Sequence, residues 1–253
     1  MPNNFNCFLE ADWPAPPNVR AFSTLRSGGV SEGPYASLNL GMKGGDDLAK
    51  VFQNREILKI KASLPESPLW LTQVHGNNAV VLGAESLPLG PGPGPEADAA
   101  LSFTANRVCA VLTADCLPIL LCDAKGTRVA AIHAGWKGIR EGVIESTVAK
   151  LDCSPASLLA WFGPAIGPTA YEVREDMREE FKLPEDKQAF ETIGPGHYKA
   201  NIYQLAENRL KKLGVKNIYG GGFCTFNETD RFFSYRRSKQ TGHMGSLIWL
   251  TQA

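Results

Sequence analysis

The chain has 253 residues, 43% of them hydrophobic and 21% charged, and this composition predicts a globular protein with a substantial core. Lys and Arg together number 26, as do Asp and Glu, and this balance excludes a strong electrostatic attraction to nucleic acid or to anionic membranes. No apolar run approaches the ~20 residues that cross a bilayer, and the N-terminus lacks a signal-peptide pattern, so we expect a cytoplasmic protein without a membrane partner.

Short apolar runs predict strands at residues 69–74, 79–82, 108–113, 117–122, 128–132, 158–162, 217–220 and 231–234. Helical spacing of apolar residues predicts helices at residues 46–60, 139–151, 173–181 and 201–213. Alternating Gly and Pro predict a surface loop over residues 88–95. Because strands and helices do not alternate strictly, the pattern favours a single α+β domain over residues 1–253, with mixed β-sheets flanked by helices. No heptad pattern or large apolar stripe is present, so we expect a monomer.

Three residues at the ends of apolar runs form a candidate metal site: His75, Cys116 and His133. A thiolate and two imidazoles suit Zn²⁺, and three protein ligands leave a fourth position for water or substrate, which is typical of catalytic zinc. The ligands lie far apart in sequence, so the fold has to bring them together. The alternative interpretation is a buried packing cysteine with two hydrogen-bonded core histidines.

Other segments carry groups that suit an anionic or polar substrate. The turn His133-Ala-Gly-Trp-Lys-Gly138 joins a predicted strand to a helix, and Lys137 adds charge where a helix start favours anions. Asp115 precedes Cys116 and is a candidate acid–base residue, a second-shell partner of the metal or a plain turn residue. The run Phe232-Phe-Ser-Tyr-Arg-Arg237 places Arg236 beside aromatics, where it recognises an anion or lies on an ordinary charged edge.

Several motifs in the same order resemble the YfiH / laccase-domain family, whose members carry the names polyphenol oxidase and purine nucleoside phosphorylase. The resemblance runs from about residue 22 to residue 250. It rests on Pro34-Tyr-Ala-Ser-Leu-Asn-Leu-Gly41, Gln73-Val-His75-Gly, Thr113-Ala-Asp-Cys116-Leu-Pro-Ile, His133-Ala-Gly-Trp-Lys-Gly138 and Phe233-Ser-Tyr-Arg-Arg237.

The resemblance implies a single α+β domain with His75, Cys116 and His133 as zinc ligands. It implies phosphorolysis of adenosine, inosine or methylthioadenosine, and deamination of adenosine. It also places Asp115, Asn39 and Arg26 at or near the site. In deamination, Asp115 moves protons while water attacks the purine C6. In phosphorolysis, phosphate attacks the ribose C1′.

Three alternatives to this function remain open. Some bacterial members are described as peptidoglycan-editing amidases, and a metal-free hydrolase would use Cys116 as nucleophile and His133 as base. A binding protein with a structural metal would need a fourth protein ligand, such as Asp115 or His243. His243 differs from the usual pattern of the family, which has Arg at this position. The change predicts altered anion recognition.

The oxidase name of the family does not suit this chain. A multicopper oxidase needs on the order of ten histidines for its blue-copper and trinuclear sites, and the chain has four. A single copper ion in place of zinc is the remaining copper alternative, since Cu²⁺ binds N/S sites more tightly than Zn²⁺. We therefore expect zinc as the metal.

Overall fold

The computed structural model describes residues 7–83 and 94–252. The predicted Gly/Pro loop lies outside the described residues except for Gly94 and Pro95. The strands are β1 Phe8–Glu10, β2 Val19–Thr24, β3 Ala79–Leu82, β4 Ala99–Ser102, β5 Cys109–Thr113, β6 Leu117–Asp123, β7 Val129–Ala134, β8 Leu158–Phe162, β9 Glu172–Arg174, β10 Phe190–Gly194, β11 His197–Ala200, β12 Asn217–Gly220 and β13 Met244–Leu250. The helices are α1 Leu48–Lys61, α2 Trp136–Glu141, α3 Val143–Lys150, α4 Glu175–Glu179, α5 Ile202–Leu213 and α6 Tyr235–Ser238, with short 3-10 helices at Gly33–Tyr35, Pro155–Ser157 and Pro184–Ala189.

The strands form three sheets. A six-stranded sheet has the order β12-β8-β6-β7-β4-β3, a four-stranded sheet the order β1-β2-β13-β5, and a three-stranded sheet the order β10-β11-β9. The six-stranded sheet is mixed, because β12 runs parallel to β8 and β3 parallel to β4 while the inner pairs are antiparallel. The predicted α+β class with mixed sheets is therefore confirmed.

The two large sheets pack face to face between layers of helices. Leu120, Ala131 and Trp161 from the six-stranded sheet share one apolar cluster with Val111 and Ile248 from the four-stranded sheet. The outer face of the six-stranded sheet packs against α2, α3 and α5, and the outer face of the four-stranded sheet packs against α1. Strands β6 and β7 are buried along their whole length, as expected for central strands covered on both faces.

Several sequence predictions differ from the structure for identifiable reasons. The predicted helix 139–151 is two helices, because Gly142 ends α2 with φ +88° in the left-handed region, which glycine adopts readily. The predicted helix 173–181 begins with strand residues of β9 and continues only as the short α4. The predicted strands at 69–74 and 231–234 are loop and turn, apart from an isolated bridge at Thr72.

Other predictions are confirmed. The strands at 79–82, 158–162 and 217–220 have the predicted bounds, and α5 ends at Leu213 as predicted, with Asn201 capping its start. None of the helices in the described part of the chain has the length and apolar character needed to cross a bilayer. The sheets position the candidate site, because β5 ends, β6 begins and β7 ends at the same corner, where Cys116 and His133 lie.

Candidate metal centre and active site

His75, Cys116 and His133 come together at one corner of the six-stranded sheet. Their ligand atoms all lie within 4.8 Å of one another, and the Cys116 Sγ is 3.8 Å from the His75 Nε2. The ring centroids of the two histidines are 4.7 Å apart. The three side chains differ in solvent exposure: His75 is exposed, Cys116 is half-buried and His133 is buried. The site is therefore open to solvent on the His75 side.

The local chain geometry explains why these residues meet. Cys116 lies in the turn between β5 and β6, and its neighbour Pro118 pairs with His133 across the β6–β7 ladder. Asp115 in that turn has φ +95° and His75 has φ +63°, an uncommon conformation for residues other than glycine. Gly135 gives the ligands room, since a Cβ there would lie 3.0 Å from both the Cys116 Sγ and the His75 Cδ2.

A buried carboxylate, Asp98, stands behind the two histidines. Its Oδ1 lies 2.7 Å from the His133 Nδ1 and accepts a hydrogen bond from the His75 backbone amide. Its Oδ2 accepts hydrogen bonds from the amides of Val74 and Gly76. Sequence reasoning missed this residue. No local pattern marks it, because the burial of the following strand β4, which shows that the carboxylate needs buried partners, is visible only in the structure.

The three side chains favour a thiolate in contact with a charged imidazole in the absence of metal. Burial alone would raise the pKa of Cys116, but the charge of His133 and hydrogen bonds from both histidines lower that pKa to about 6. Burial alone would lower the pKa of His133, but the Cys116 thiolate and Asp98 raise it to about 9. A thiolate at neutral pH is the form that binds metal or acts as a nucleophile.

Asp115 lies beside this group and has both carboxylate oxygens engaged. Its Oδ1 accepts a 2.6 Å hydrogen bond from the Thr225 hydroxyl, and its Oδ2 accepts a 2.6 Å hydrogen bond from the Arg236 backbone amide. The side chain is half-buried, and it is not part of the three-residue group. Thr225 and the first turn of α6 thus hold Asp115 next to Cys116. Thr225 is a second contact that the sequence analysis missed.

The arginines on and beside the loop of residues 225–237 differ in how many of their donors are engaged. Arg237 donates to the carbonyls of Thr225, Phe226 and Phe232, so it holds its own loop together. Arg26 donates to the Ala36 and Thr229 carbonyls, and burial lowers its pKa first, with a further contribution from the charge of Arg237. This loop therefore uses most of its cationic donors internally.

Arg236 differs from those two arginines. One guanidinium nitrogen donates to the Glu172 carbonyl, and the group lies 5.3 Å from the centre of the buried Tyr171 ring. Burial raises the pKa of Tyr171, with the charge of Cys116 adding to the effect, which places this ring near the ligand group. Arg236 is therefore the arginine with both proximity to Asp115 and donors left for a ligand.

The remaining predicted substrate-binding residues lie in different surroundings. Asn39 is fully buried, and its amide is saturated by Gly41, Asp46 and the backbone amide of His243. Lys137 is exposed in the first turn of α2, with its ammonium 5.6 Å from the Trp136 ring centre. Asn39 therefore offers no free polar group but holds Gly41 and His243 in place, and we call these two residues the wall. Lys137 lies at the surface.

His243 belongs to the wall that Asn39 supports. Its Nδ1 is buried without a hydrogen-bond partner in the described part of the chain, and a Cβ on Gly41 would lie 2.5 Å from it. Burial lowers the pKa of His243 to about 4, and the charge of His133 adds to this effect while Asp115 opposes it. The ring is therefore uncharged at neutral pH, in contrast to an arginine.

The donor set suits one metal ion rather than a copper cluster. One sulfur and two imidazole nitrogens within mutual reach match a tetrahedral zinc site with one open position. Neither Asp115 nor His243 joins the group, so the residues that the structure describes supply no fourth protein ligand. The chain has four histidines, and the remaining one, His197, lies in β11 of the separate three-stranded sheet.

Comparison with known proteins gives consistent matches over nearly the whole chain. The family model described as "Multi-copper polyphenol oxidoreductase laccase" matches residues 20–251. Purine nucleoside phosphorylase YfiH of Escherichia coli is 49% identical over 239 residues, covering 94% of this chain and 96% of that protein. Purine nucleoside phosphorylase of Haemophilus influenzae is 46% identical over 245 residues, covering 95% of this chain and 98% of that protein.

Solved structures show the same similarity. A Neisseria meningitidis crystal structure superposes with a TM-score of 0.91 at 48% identity, covering 97% of this chain and all of that one. The crystal structure of YlmD from Geobacillus stearothermophilus superposes with a TM-score of 0.91 at 29% identity, covering 100% of this chain and 99% of that one.

Proposed function

The chain belongs to the laccase-domain family, as its sequence motifs predicted, and we propose that it is a metal-dependent purine nucleoside phosphorylase that also deaminates adenosine. The relatives named purine nucleoside phosphorylase support the substrate class. The observation that carries the chemistry is the three-residue group of His75, Cys116 and His133, open on one side and flanked by Asp115. The proposed metal is zinc.

Each residue has a role in this proposal. His75, Cys116 and His133 would hold the zinc ion, which would supply Lewis acidity and lower the pKa of a nearby water toward ~7. Asp115, fixed by Thr225 and the Arg236 amide, takes up or gives a proton at its carboxylate. Arg236 and Arg26 are the cations proposed to hold phosphate, and Lys137 is proposed to attract it at the surface.

Phosphorolysis requires few groups beyond these. A phosphate oxygen forms the new bond to the ribose C1′ while the bond from C1′ to the purine N9 breaks, and the purine leaves as it gains a proton. In this proposal Asp115 carries that proton and Arg236 holds the attacking phosphate. In deamination, the same carboxylate takes a proton from the attacking water and returns one to the leaving ammonia. Asn39 supports the wall that carries His243.

A second candidate is favoured by one specific observation. Cys116, His133 and Asp98 are connected in the order of a nucleophile, its base and the carboxylate that orients the base. This arrangement suits a metal-free hydrolase, for which a peptidoglycan precursor is the proposed substrate. Chelators separate the two candidates, because the hydrolase is indifferent to them while iodoacetamide inactivates it irreversibly.

The deciding experiment combines metal analysis with a substrate panel. The purified protein should contain about one zinc per chain, and it should convert adenosine, inosine and methylthioadenosine with phosphate present and lose this activity with a chelator. Cys116→Ser and His75→Ala should lose the metal, whereas Cys153→Ser, at another half-exposed cysteine, should keep it. Ligand variants with full zinc content would overturn this ligand set, and turnover of a muramyl-peptide precursor alone would favour the hydrolase.

A further inference from the structure

One carboxylate contacts the segments of both histidine ligands, although these segments lie on different elements. Asp98 is fully buried at the start of β4, and its four hydrogen bonds go to the His133 ring and to the amides of residues 74, 75 and 76. We propose that Asp98 is a positioning residue that sets the ring tautomer of His133 and the backbone of His75 together, and thereby the metal affinity of the site. This inference rests on the metal site proposed above.

The tautomer argument follows from the chemistry of the contact. An ionised carboxylate only accepts hydrogen bonds, so the His133 Nδ1, 2.7 Å from Oδ1, carries a proton. The Nε2 is then the nitrogen that remains for Cys116 and a metal. The His133 backbone amide donates a second 2.7 Å hydrogen bond to the Asp98 carbonyl, so the same residue holds both the main chain and the ring. Histidine ligands in metal sites are commonly oriented in this way.

The loop argument concerns His75. This residue has φ +63°, which costs free energy for any residue with a Cβ. The turn points the amides of Val74, His75 and Gly76 at one carboxylate, at 3.2, 2.9 and 2.8 Å. Charge-assisted hydrogen bonds of this kind offset the backbone cost and hold an otherwise exposed ligand in place. Because Asp98 is buried and all its contacts are internal, it acts through the ligands and does not touch substrate.

The test replaces Asp98 with Asn, which keeps the shape but removes the charge and one acceptor. If the NH2 group of the new side chain faces His133, it donates to the His133 Nδ1 and forces the other tautomer. If it faces the amides of Val74 and Gly76, those amides lose their acceptor. Both orientations misplace a ligand. We expect Asp98→Asn to weaken zinc binding about 10–100-fold, measured by competition with a chromophoric chelator. The absorption spectrum of the cobalt-substituted protein should change as well.

The matched control is Asp123→Asn. Asp123 is also buried and accepts hydrogen bonds from the amides of Thr127 and Arg128 and from the Thr127 hydroxyl, at the opposite end of the β6–β7 hairpin. A loss of stability alone would affect both variants, whereas the proposed role affects zinc affinity only at Asp98. Equal zinc affinity in the wild-type and Asp98→Asn proteins would overturn the proposal.

A measurement on the wild-type chain covers the case in which Asp98→Asn does not fold. With ¹⁵N-labelled histidine, the His133 Nδ1 should carry a hydrogen-bonded proton, and zinc should displace any proton from Nε2. A bare Nδ1 with a protonated Nε2 would overturn the proposal. Wild-type protein that takes up no zinc would instead refute the metal function. In that case the protonation of the His133 Nδ1 would still test the hydrogen bond to Asp98.

Discussion

The metal-ligand corner (His75, Cys116, His133 and Asp98) and the arginine loop (residues 225–237) meet at Asp115, yet they use their polar groups differently. In the corner, internal hydrogen bonds to Asp98 leave the ligand atoms facing one another. In the loop, the cations are largely used to hold the loop itself, because Arg237 binds three carbonyls. The corner therefore directs its side-chain donors toward one another, whereas the loop uses its donors to hold its own backbone.

The difference has a consequence for the reaction. The corner offers one fixed arrangement of donors, which suits chemistry that is common to several substrates. Under the proposed function, substrate choice depends on the few loop groups with free donors, chiefly Arg236, and on the uncharged His243. Variants in the metal-ligand corner should accordingly lose the chemical step, whereas variants in the arginine loop should lose substrate affinity or loop stability.

The largest effect is expected at Asp115, where the two regions meet. Asp115→Asn keeps the shape, and the Thr225 hydroxyl is able to rotate to suit the new group, but the exchangeable proton is removed. General acid–base catalysis contributes about 10²–10⁴-fold, so kcat should fall by that factor while zinc content stays unchanged. Steady-state kinetics and elemental analysis on one preparation measure both. Normal turnover in this variant would end the catalytic assignment.

The second prediction compares neighbouring arginines within the loop. Arg237→Met leaves three carbonyls without their donor and should lower the free energy of unfolding by about 2–3 kcal/mol. Arg236→Met removes one such contact and a free donor, so it should raise the KM for phosphate about tenfold with little change in unfolding. Denaturant titration and phosphate-dependent kinetics separate the two. An exchange of these outcomes would reverse the roles assigned to the arginines.

The smallest effect concerns cysteine reactivity in the metal-free protein. Because the pKa of Cys116 is lowered to about 6, its alkylation by iodoacetamide should reach half its maximal rate near that pH and level off above about pH 7. Burial raises the pKa of Cys109 and raises that of Cys122 to about 12, so both should stay unmodified. Mass spectrometry of peptides across a pH series measures this, and added zinc should protect Cys116. A rate that still climbs at pH 9 would contradict the lowered pKa.

The ligand group could be predicted from sequence because its residue types are rare and each ends an apolar run. His75 and His133 are two of four histidines, and both come at the edge of a segment with a clear apolar pattern. The predicted strands beside Cys116 and His133, 117–122 and 128–132, lie within one or two residues of the observed β6 and β7, whereas the strand predicted before His75 is loop. Local pattern was sufficient here because central strands are continuously apolar.

The rest of the fold and of the candidate site depends on long-range contacts that no local sequence pattern encodes. The central strand β13 was not predicted, because its Gly, Ser and Trp residues lack a strand-like alternation, and only pairing with β2 and β5 defines it. Asp98 was missed because one Asp before two alanines carries no signal until its four partners are known. The break at Gly142 was missed because the apolar spacing continues through it.

The difference in exposure among the three proposed ligands implies an order for metal exchange. His75 lies on the surface on a loop, while His133 is 3% exposed within β7. If the proposed site holds zinc, His75 would be the first residue to release the ion, and Cys116 and His133 would hold it until an incoming chelator completed the transfer. Release would then need no separation of the sheets, and its rate should depend on chelator concentration rather than on the rate of unfolding.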